Sequence, residues 1–434
     1  MSDARVLVLG ANGFIGAHVA ADLVRQGWQV RAGARRPDAA RRRAPRHDWV
    51  RADFGDLTTT EAWGPLLAGV SAVVNCVGVL QDGSGDSTRV AHVDGPRALI
   101  EACEIAGVRR LVHISAVGAG DGAGTAYAAS KGITESLITA SDLDWTVLRP
   151  SLVVGRAVFG GTGLLRALAA FPGVIPVIDG RQRFRPVAMD DVCAAVSAAL
   201  EPGRAVRRVL DIAGPESLSL AEILVLYRGW LGLPRAALLR IPRLLAWPVI
   251  ALGDLAGRLG WPSPLRTTAL RQMDQGVEGD AVTWTAVLGV SPTALADQLS
   301  RSPASVQDVW HARLWFVRPI AIVTLGLFWL VTGLISWGPG WSRALAILDE
   351  GGYGAAAVPI AWWGALLDVV LGVALFVRPW TARVALVMAV STVGYLAAGT
   401  LSLPHYWVDP LGPWLKVLPM MVLCLFVAAT DERR

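Results

Sequence analysis

Hydrophobic and polar residues alternate in two different ways along the chain. From Met1 to about His311, short apolar runs bounded by glycine or polar residues are followed by segments with helical spacing. This is the pattern of buried strands that alternate with helices. From Leu314 onward charges become rare, and the apolar runs approach the length of a membrane-spanning helix. The change predicts a domain boundary near residue 312, with an α/β part before it and a membrane part after it.

The α/β part contains a series of candidate strands separated by helical segments such as Arg97 to Ala106. The strands lie around Val8, Ala32, Val50, Val74, Ile114 and Val147. Alternating strands and helices form a parallel sheet wound right-handedly, and such sheets bind ligands at the carboxyl ends of their strands. We therefore predict a doubly wound Rossmann domain over residues 1–215. Four residues follow these strands and are expected at the ligand-binding edge: Asn75, Gly78, Ser115 and Pro150.

Composition supports the division. Hydrophobic residues make up 53% of the chain and charged residues 17%, against about 45–50% and about 25% in soluble domains. The net charge of +5 depends on arginines clustered between Arg35 and Arg46. Such a block could bind nucleic acid or anionic lipid, but we favour a solvated loop that also receives a cofactor phosphate, and we expect no nucleic-acid partner. The four cysteines are widely spaced in apolar contexts, which indicates buried thiols and no metal site.

The first strand leads into a glycine-rich turn, "GANGFIG", with glycines at positions 10, 13 and 16 before a helical pattern begins. Glycines at this spacing let the backbone turn tightly and approach a pyrophosphate, whose charge meets unpaired amides at the helix N-terminus. After the second strand, an NAD-preferring site would carry an acid, whereas this chain has Arg35 and Arg36. A guanidinium pairs with a 2′-phosphate, so these residues favour NADP(H) over NAD(H). The alternative is that they are ordinary surface arginines.

The chain contains two lysines, Lys131 and Lys416, and five tyrosines. Tyr127 and Lys131 are four residues apart on a predicted helix, so their side chains share one face. A nearby ammonium favours the phenolate, so we expect Lys131 to lower the pKa of Tyr127 toward the range useful for proton transfer. Ser115, at a strand end, is expected to hydrogen-bond a substrate carbonyl or hydroxyl. The alternative is a surface pair without catalytic meaning.

These motifs resemble the short-chain dehydrogenase/reductase superfamily, in its extended or atypical branch. The motifs "GANGFIG", "SAVGA", "YAASK", "LRPS" and "RFRPVAMDDV" occur in the family's order. Within that branch the chain looks most like the group containing the accessory NADPH-binding subunit of respiratory complex I. The resemblance assigns Ser115, Tyr127 and Lys131 to the catalytic triad. It also implies cofactor contacts by Gly10, Asn12, Gly13, Phe14, Ile15, Gly16, Arg35, Arg36, Asp53, Gly78, Lys131 and Pro150. Several members of the branch bind nucleotide without turning over substrate.

Residues 216–312 connect the two parts and include the apolar stretch "IPRLLAWPVIALGDLAGRLGW". It is too short, and too interrupted by Pro248, Asp254 and Arg258, to span a bilayer. In the family, such segments form a small subdomain that covers the substrate. From the residues, a helix on the membrane surface and a buried core helix are equally compatible.

Residues 313–434 contain four apolar runs that approach membrane-spanning length: Pro319–Ser336, Val358–Val377, Val384–Leu403 and Leu411–Ala429. Tryptophans lie mostly near their ends, as interfacial tryptophans do. This part resembles the DoxX-like membrane family through "LLDVVLG", the Gly394–Tyr395 pair and "PHYWVDPLGPWLKVLP". The resemblance implies an all-α four-helix transmembrane bundle. More distant namesakes occur with quinone-linked oxidoreductases.

The loops predict the orientation of the spans. One side carries Arg313, Arg318, Arg378, Arg383, Arg433 and Arg434, and the other carries Arg343 and Lys416. The positive-inside rule then places both termini in the cytoplasm, where NADPH is available. No signal peptide precedes the first strand, so we expect a multi-pass inner-membrane protein with a cytoplasmic N-terminal domain.

Asp368 lies near the middle of the second run, where a carboxylate is costly unless it is paired, protonated or facing a polar cavity. Lys416 is its expected partner. A structural polar lock between helices and a quinone or proton site both fit the position. His405 fits an interfacial loop better than a ligand.

The leading hypothesis is a membrane-anchored NAD(P)H-dependent oxidoreductase that acts on a hydrophobic carbonyl, alcohol or quinone-like molecule from the bilayer. In this hypothesis Tyr127 transfers the proton, Lys131 lowers its pKa and holds the nicotinamide ribose, and Ser115 polarises the reacting oxygen. The competing hypothesis is a non-catalytic NADPH-binding sensor or assembly module of a membrane complex. A nucleotide-sugar epimerase or dehydratase fits the fold but leaves the membrane part without a role.

Overall fold

The computed structural model describes residues 4–79, 82, 87–120, 125–261, 263–274 and 276–431. The chain divides into two compact units, Met1–Ala312 and Arg313–Arg434. The predicted subdivision of the first unit at residue 215 stays a prediction.

Thirteen strands occur in the described part of the first unit. They are β1 Arg5–Leu9, β2 Gln29–Ala34, β3 Asp48–Arg51, β4 Ala72–Asn75, β5 Arg110–Ile114, β6 Asp144–Pro150, β7 Val153–Val154, β8 Val174–Ile178, β9 Arg183–Phe184, β10 Val187–Ala188, β11 Arg208–Ile212, β12 Leu218–Ser219 and β13 Ala237–Ile241. Seven of them form one parallel sheet in the order β11-β6-β5-β4-β1-β2-β3. The order reverses beside β1, so the predicted doubly wound α/β fold is confirmed.

Helices cover both faces of this sheet. In the first unit they are α1 Phe14–Arg25, α2 Pro37–Arg43, α3 Thr60–Leu67, α4 Gly95–Ala106, α5 Ala126–Thr139, α6 Gly161–Ala169, α7 Met189–Leu200, α8 Leu220–Trp230, α9 Arg243–Arg258, α10 Thr267–Asp274, α11 Thr283–Leu288 and α12 Leu295–Arg301. Side chains alternate across each strand, so Val6 and Val8 of β1 pack on the α1 and α7 side. Leu7 and Leu9 pack on the α3 and α4 side. A π-helical turn, Val90–Asp94, precedes α4.

The predicted connector, residues 216–312, contains β12, β13 and α8 to α12. β13 pairs in parallel with β8, and β12 pairs with β9. The stretch that the sequence left open forms α9, and its large apolar side chains point mainly outward, including Leu244 and Leu252, which are 83% and 65% exposed. A buried core helix is therefore excluded within the described first unit.

The second unit is helical. Its helices are α13 Val306–Trp337, which begins in the first unit, α14 Trp341–Glu350, α15 Ala357–Ala374, α16 Thr381–Ser402 and α17 Val417–Ala429, with 3-10 turns at Gly354–Ala356 and Pro404–Trp407. Among the described residues, three helical segments are long and apolar enough to cross a bilayer: Val306–Trp337, Gly354–Ala374 and Thr381–Ser402. The fourth predicted run begins later than expected, because Gly412 adopts a left-handed φ of 58° and Pro413 follows it. Its helix therefore has 13 residues. Arg433 and Arg434 lie outside the described residues.

Asp368 lies on α15, and its polar neighbour is the phenol of Tyr395 on α16. The Tyr395 hydroxyl also donates to the carbonyl of Gly364 at 3.4 Å. Lys416 is exposed, and no ion pair joins it to Asp368 among the described residues. The predicted Asp368–Lys416 pair is therefore wrong. Lys416 directly precedes α17, whose late start leaves it in the preceding loop.

Candidate active site

The glycine-rich turn joins β1 to α1 at the carboxyl edge of the sheet. Gly10 has a φ of 70°, and a Cβ there would lie 3.1 Å from the backbone carbonyl of Cys76. A Cβ on Gly13 would lie 3.1 Å from the Gly10 oxygen, and a Cβ on Gly16 would collide with the same oxygen. Glycine is therefore required for the backbone to pass this closely. The turn leaves open the start of α1, where first-turn amides lack intrahelical acceptors and can bind a pyrophosphate.

The remaining predicted residues of this turn surround the helix start. Asn12 is exposed, and Phe14 and Ile15 are half-buried in the first turn of α1. The Phe14 ring stacks with that of Phe159 at 6.3 Å between centroids. Phe159 precedes α6, so the two rings bring the glycine turn and the segment after β7 to one side of the sheet.

The two predicted phosphate-binding arginines directly follow β2. Arg35 and Arg36 are exposed, and Arg36 precedes the first residue of α2. β2 pairs with β1, with Gly33 opposite Leu9. The arginines therefore lie one strand away from the glycine turn, where the adenosine end of a dinucleotide would extend. Asp53 follows β3 and accepts a hydrogen bond from the Gly55 amide at 3.1 Å.

Lys131 lies on the opposite side of the turn, between the ends of β4 and β5. Its side chain is 2% exposed, and its ammonium donates to the carbonyls of Ile114 at 2.8 Å and Val77 at 3.4 Å. A Cβ on Gly78 would lie 3.5 Å from the Lys131 nitrogen. Burial lowers the pKa of Lys131 to about 8, although Cys76 and Glu135 act in the opposite direction. The glycine at position 78 thus keeps open the space in front of a poorly hydrated ammonium.

Tyr127 lies one turn before Lys131 on α5, which begins after Thr125, whose hydroxyl accepts from the Ala128 amide at 3.2 Å. Burial raises the pKa of Tyr127 to about 12. The predicted lowering of this pKa by Lys131 is therefore wrong. The phenolate is penalised by burial, and the Lys131 ammonium is directed at the Ile114 carbonyl. Tyr127 is consequently a neutral phenol at physiological pH, which can donate a proton.

His92 was missed by sequence reasoning and contacts the Tyr127 ring, with centroids 5.7 Å apart. Its Nε2 accepts from the Val79 amide at 3.1 Å, and its Nδ1 lies 2.8 Å from the Ser130 hydroxyl. The Ser130 hydroxyl itself donates to the Tyr127 carbonyl, so His92 carries its proton on Nδ1. Burial, followed by Lys131, lowers the pKa of His92 to about 3. A neutral imidazole therefore forms one wall beside Tyr127.

Ser115 lies directly after β5 and is buried. Its hydroxyl donates to Oε1 of Glu135 at 2.5 Å, and Arg149 Nε donates to the two Glu135 oxygens at 2.9 and 3.1 Å. Since the Ser115 proton is directed at Glu135, the Ser115 oxygen is oriented to accept a hydrogen bond. The arrangement suits a substrate hydroxyl better than the carbonyl that the sequence also allowed. Glu135 was a second missed residue, although its position four residues after Lys131 was a visible signal.

The structure thus brings Ser115, Tyr127, Lys131 and Gly78 to the ends of β4 and β5. Pro150 ends the next strand, β6, and its carbonyl accepts from the Val117 amide at 3.2 Å. Arg35, Arg36 and Asp53 lie on the other side of the glycine turn. The two groups do not meet, but they lie along one edge, as the two ends of an extended dinucleotide require. The glycine-rich turn, the two arginines after β2 and the Lys131 ammonium together fit an NAD(P) cofactor.

Comparisons with known proteins agree with this geometry. Residues 10–162 match a family model described as NAD(P)H-binding, and residues 326–425 match the DoxX-like family. A ceramide reductase of Caulobacter vibrioides is 30% identical over 204 residues, 45% of this chain and 62% of that protein. The chain therefore spans less than two thirds of that relative. Subunit 9 of the NADH dehydrogenase 1 alpha subcomplex of Arabidopsis thaliana is 27% identical over 54% of this chain and 60% of its own length.

Two further similarities bear on the fold and on the family of the chain. The structure of a UDP-glucuronic acid 4-epimerase from Bacillus cereus, in complex with NAD, has a TM-score of 0.53 at 18% identity, over 71% of this chain and 99% of that one. It supports the fold alone. Sterol demethylase protein B of Methylococcus capsulatus is 30% identical over 321 residues, 66% of this chain and 94% of that protein. The chain belongs to the NAD(P)H-binding, short-chain dehydrogenase/reductase-like family that includes this protein, and it carries a C-terminal DoxX-like domain.

Proposed function

We propose that the protein is a membrane-anchored, NADPH-preferring oxidoreductase that reduces a carbonyl group, or oxidises the corresponding alcohol, on a hydrophobic lipid or quinone-like molecule. The observation that carries this proposal is the buried Lys131 ammonium at the ends of β4 and β5, one helical turn from the neutral phenol of Tyr127. An ammonium without full hydration is costly, so a functional role for its position is expected. The relatives named for ceramide and for sterol support a lipid substrate.

The chain's own residues have separate roles in this proposal. A bound dinucleotide supplies or accepts the hydride. Tyr127, with its pKa raised to about 12 by burial, donates a proton to the oxygen of a reduced carbonyl. Lys131 supplies positive charge beside that proton transfer and holds the ribose next to Gly78. Ser115 accepts a hydrogen bond from the product hydroxyl, because its own proton is directed at Glu135.

The arginines after β2 carry the proposed preference for NADPH. Arg35 and Arg36 are exposed at the position where the 2′-phosphate would lie, and each can pair with it through two N–H donors. The predicted inner-membrane location, with both termini in the cytoplasm, is part of the same proposal, and it would put this site on the side that contains NADPH.

Full-length protein in lipid nanodiscs tests the function. NADPH oxidation would be followed with long-chain keto-lipids, sterol ketones and short-chain quinones, comparing wild type with Tyr127→Phe. We expect Tyr127→Phe to lower kcat by about 10²–10⁴-fold, with NADPH affinity unchanged. Tyr406→Phe, the same change in the membrane unit, is the matched control. Equal turnover in wild type and Tyr127→Phe would remove Tyr127 from the chemistry.

A second candidate is a non-catalytic NADPH-binding module of a membrane complex. The similarity to an NADH dehydrogenase subunit supports it. NADPH binding by wild type without turnover of any carbonyl, alcohol or quinone tested would favour this module over the enzyme.

A further inference from the structure

The outward face of α9 is apolar along its whole length. The helix contains 16 residues, Arg243–Arg258. Its inward positions are Ala246, Ile250 and Gly253, which are buried. At about 100° per residue, six exposed apolar positions fall within an arc of about 100° on the other side, and Val249 and Trp247, also exposed, lie on either side of that arc. The six positions within the arc are Leu244, Leu245, Pro248, Leu252, Leu255 and the following Leu259.

Two polar side chains of α9, Asp254 and Arg243, are bonded to residues outside this arc. Asp254 accepts from the Thr267 hydroxyl at 2.6 Å and from the Thr267 amide at 3.2 Å, and it pairs with Arg266. Leu252 and Leu255 are left as the outermost groups of the second half of the helix, at 65% and 51% exposure. An apolar strip of this size on the surface of a folded unit marks an interaction site.

Charge around the strip indicates which partner covers it. Residues 231–274 contain six arginines and two aspartates, with no lysine or glutamate. Arg240 lies just before the strip and Arg258 lies at its end, both exposed, whereas the guanidinium of Arg243 pairs with Asp274 at 2.8 Å. Trp247, also exposed at 67%, lies beside the strip. An apolar face with arginines at its margins and an exposed tryptophan is typical of a helix that lies in the headgroup region of a bilayer.

The chain itself supplies the bilayer. α13 begins at Val306 and continues as a segment long and apolar enough to cross a membrane. The first unit is therefore tethered to lipid, and binding of α9 is an intramolecular event at high effective concentration. The segment after α9 also approaches the candidate active site, because a Cβ on Gly279 would lie 3.0 Å from Val117, two residues after Ser115.

We propose that α9 is a lipid-docking helix, which inserts Leu244, Leu252 and Leu255 among the acyl chains while Arg240 and Arg258 contact anionic headgroups. The proposal rests on the membrane anchoring in the proposed function, but not on catalysis. It brings the segment between β13 and Gly279 to the bilayer surface, so a lipid substrate reaches the site without crossing bulk water.

Spin labels on the full-length protein test this proposal. Leu252→Cys and Leu255→Cys would each be labelled in nanodiscs of phosphatidylcholine and phosphatidylglycerol at about 3:1, the anionic fraction being needed for the arginines. Ile105→Cys on α4 is the control, because Ile105 is apolar and 77% exposed but does not belong to the apolar strip of α9. Of the native cysteines, Cys103, Cys193 and Cys424 are buried and Cys76 is half-buried, so unmutated protein gives the labelling background.

We expect both α9 labels to be several-fold more accessible to oxygen, which concentrates in acyl chains, than to a water-soluble nickel chelate. The Ile105 label should show the opposite preference, and the α9 preference should weaken in pure phosphatidylcholine. A nickel-accessible label at both α9 positions would overturn the proposal. Shielding from both reagents would overturn it as well, since a second copy or another protein would then cover the strip. These results are independent of whether Tyr127→Phe loses turnover.

Discussion

Replacement of Lys131 by methionine is expected to stabilise the first unit while it abolishes activity. Burial lowers the pKa of Lys131 from 10.5 to about 8. A shift of this size corresponds to about 3 kcal/mol of differential free energy at ~1.4 kcal/mol per pKa unit. The folded state is therefore destabilised by this amount whenever the Lys131 side chain is charged. Methionine has a similar length and no charge to bury.

The sign follows from proton binding. Since the unfolded chain keeps the proton up to about pH 10.5 and the folded chain releases it near pH 8, unfolding takes up a proton between these values. Stability of the wild type then rises with pH through this window. The destabilisation is complete below pH 8 and absent above pH 10.5. The variant does not gain this stability, so its free energy of unfolding relative to wild type is most favourable near pH 7 and falls by about 3 kcal/mol toward pH 10.5.

Two hydrogen bonds reduce the advantage at pH 7. Lys131 donates to the carbonyls of Ile114 and Val77, and an unpaired buried carbonyl costs about 1–3 kcal/mol. The 3.4 Å contact to Val77 is weak, so the penalty for the Ile114 carbonyl alone leaves a net gain of about 0–2 kcal/mol at pH 7. The penalty for the carbonyls does not change with pH. The change with pH in the stability difference between variant and wild type therefore remains about 3 kcal/mol, which corresponds to a shift in Tm of roughly 6–12 °C.

Thermal unfolding of full-length protein in mild detergent, followed by tryptophan fluorescence at pH 7, 8, 9 and 10, measures this difference. Lys416→Met is the matched control, because it removes the chain's other lysine from an exposed position. We expect its Tm to follow that of wild type at every pH. A Lys131→Met difference that stays constant from pH 7 to pH 10 would show that the ammonium is hydrated in the folded protein, and the reasoning about the site would fail.

Two further predictions concern the cofactor and the substrate oxygen. Substituting Arg35 and Arg36 together by serine should weaken NADPH affinity by about 10–100-fold, through loss of charged hydrogen bonds, and leave NADH affinity unchanged. Both affinities would be measured by fluorescence titration. An equal loss for both nucleotides would contradict the assignment. Glu135→Ala should lower kcat by about tenfold, because Ser115 loses its orienting acceptor, and should also lower Tm, because Arg149 loses its counter-charge. A lower Tm with unchanged kcat would make Glu135 purely structural.

The sequence was informative wherever a function depends on local spacing. Gly10, Gly13 and Gly16 make close contacts within a single turn, so their positions in the sequence were enough to predict the glycine-rich turn before α1. β2 lies around Ala32 as predicted, and the helix predicted from Arg97 to Ala106 begins at Gly95, two residues earlier. In both cases neighbouring residues determine the conformation.

Sequence reasoning failed where a property depends on burial or on contacts between distant segments. The pKa of Tyr127 is raised because the fold removes water from the phenol. The spacing of residues along a helix gives no information about this burial. The contact between Ser115 and Glu135 joins β5 to α5 across 20 residues, and it depends on how far the helix extends past the strand end. The exposed position of Lys416 depends on a glycine and a proline that delay α17.

The corrected pKa of Tyr127 changes which direction of reaction the site favours. A tyrosine activated by an adjacent ammonium would act as a base and suit alcohol oxidation. A phenol with a pKa of about 12 is protonated at every physiological pH, so it acts first as an acid, and proton donation to a developing alkoxide is the step it can assist. Lys131, near half-charged at pH 8, loses its ammonium above that value. Reduction by NADPH is therefore expected to be fastest near or below neutral pH and to decline as the pH rises through 8, and an alkaline optimum for reduction would contradict the assignment of these two residues.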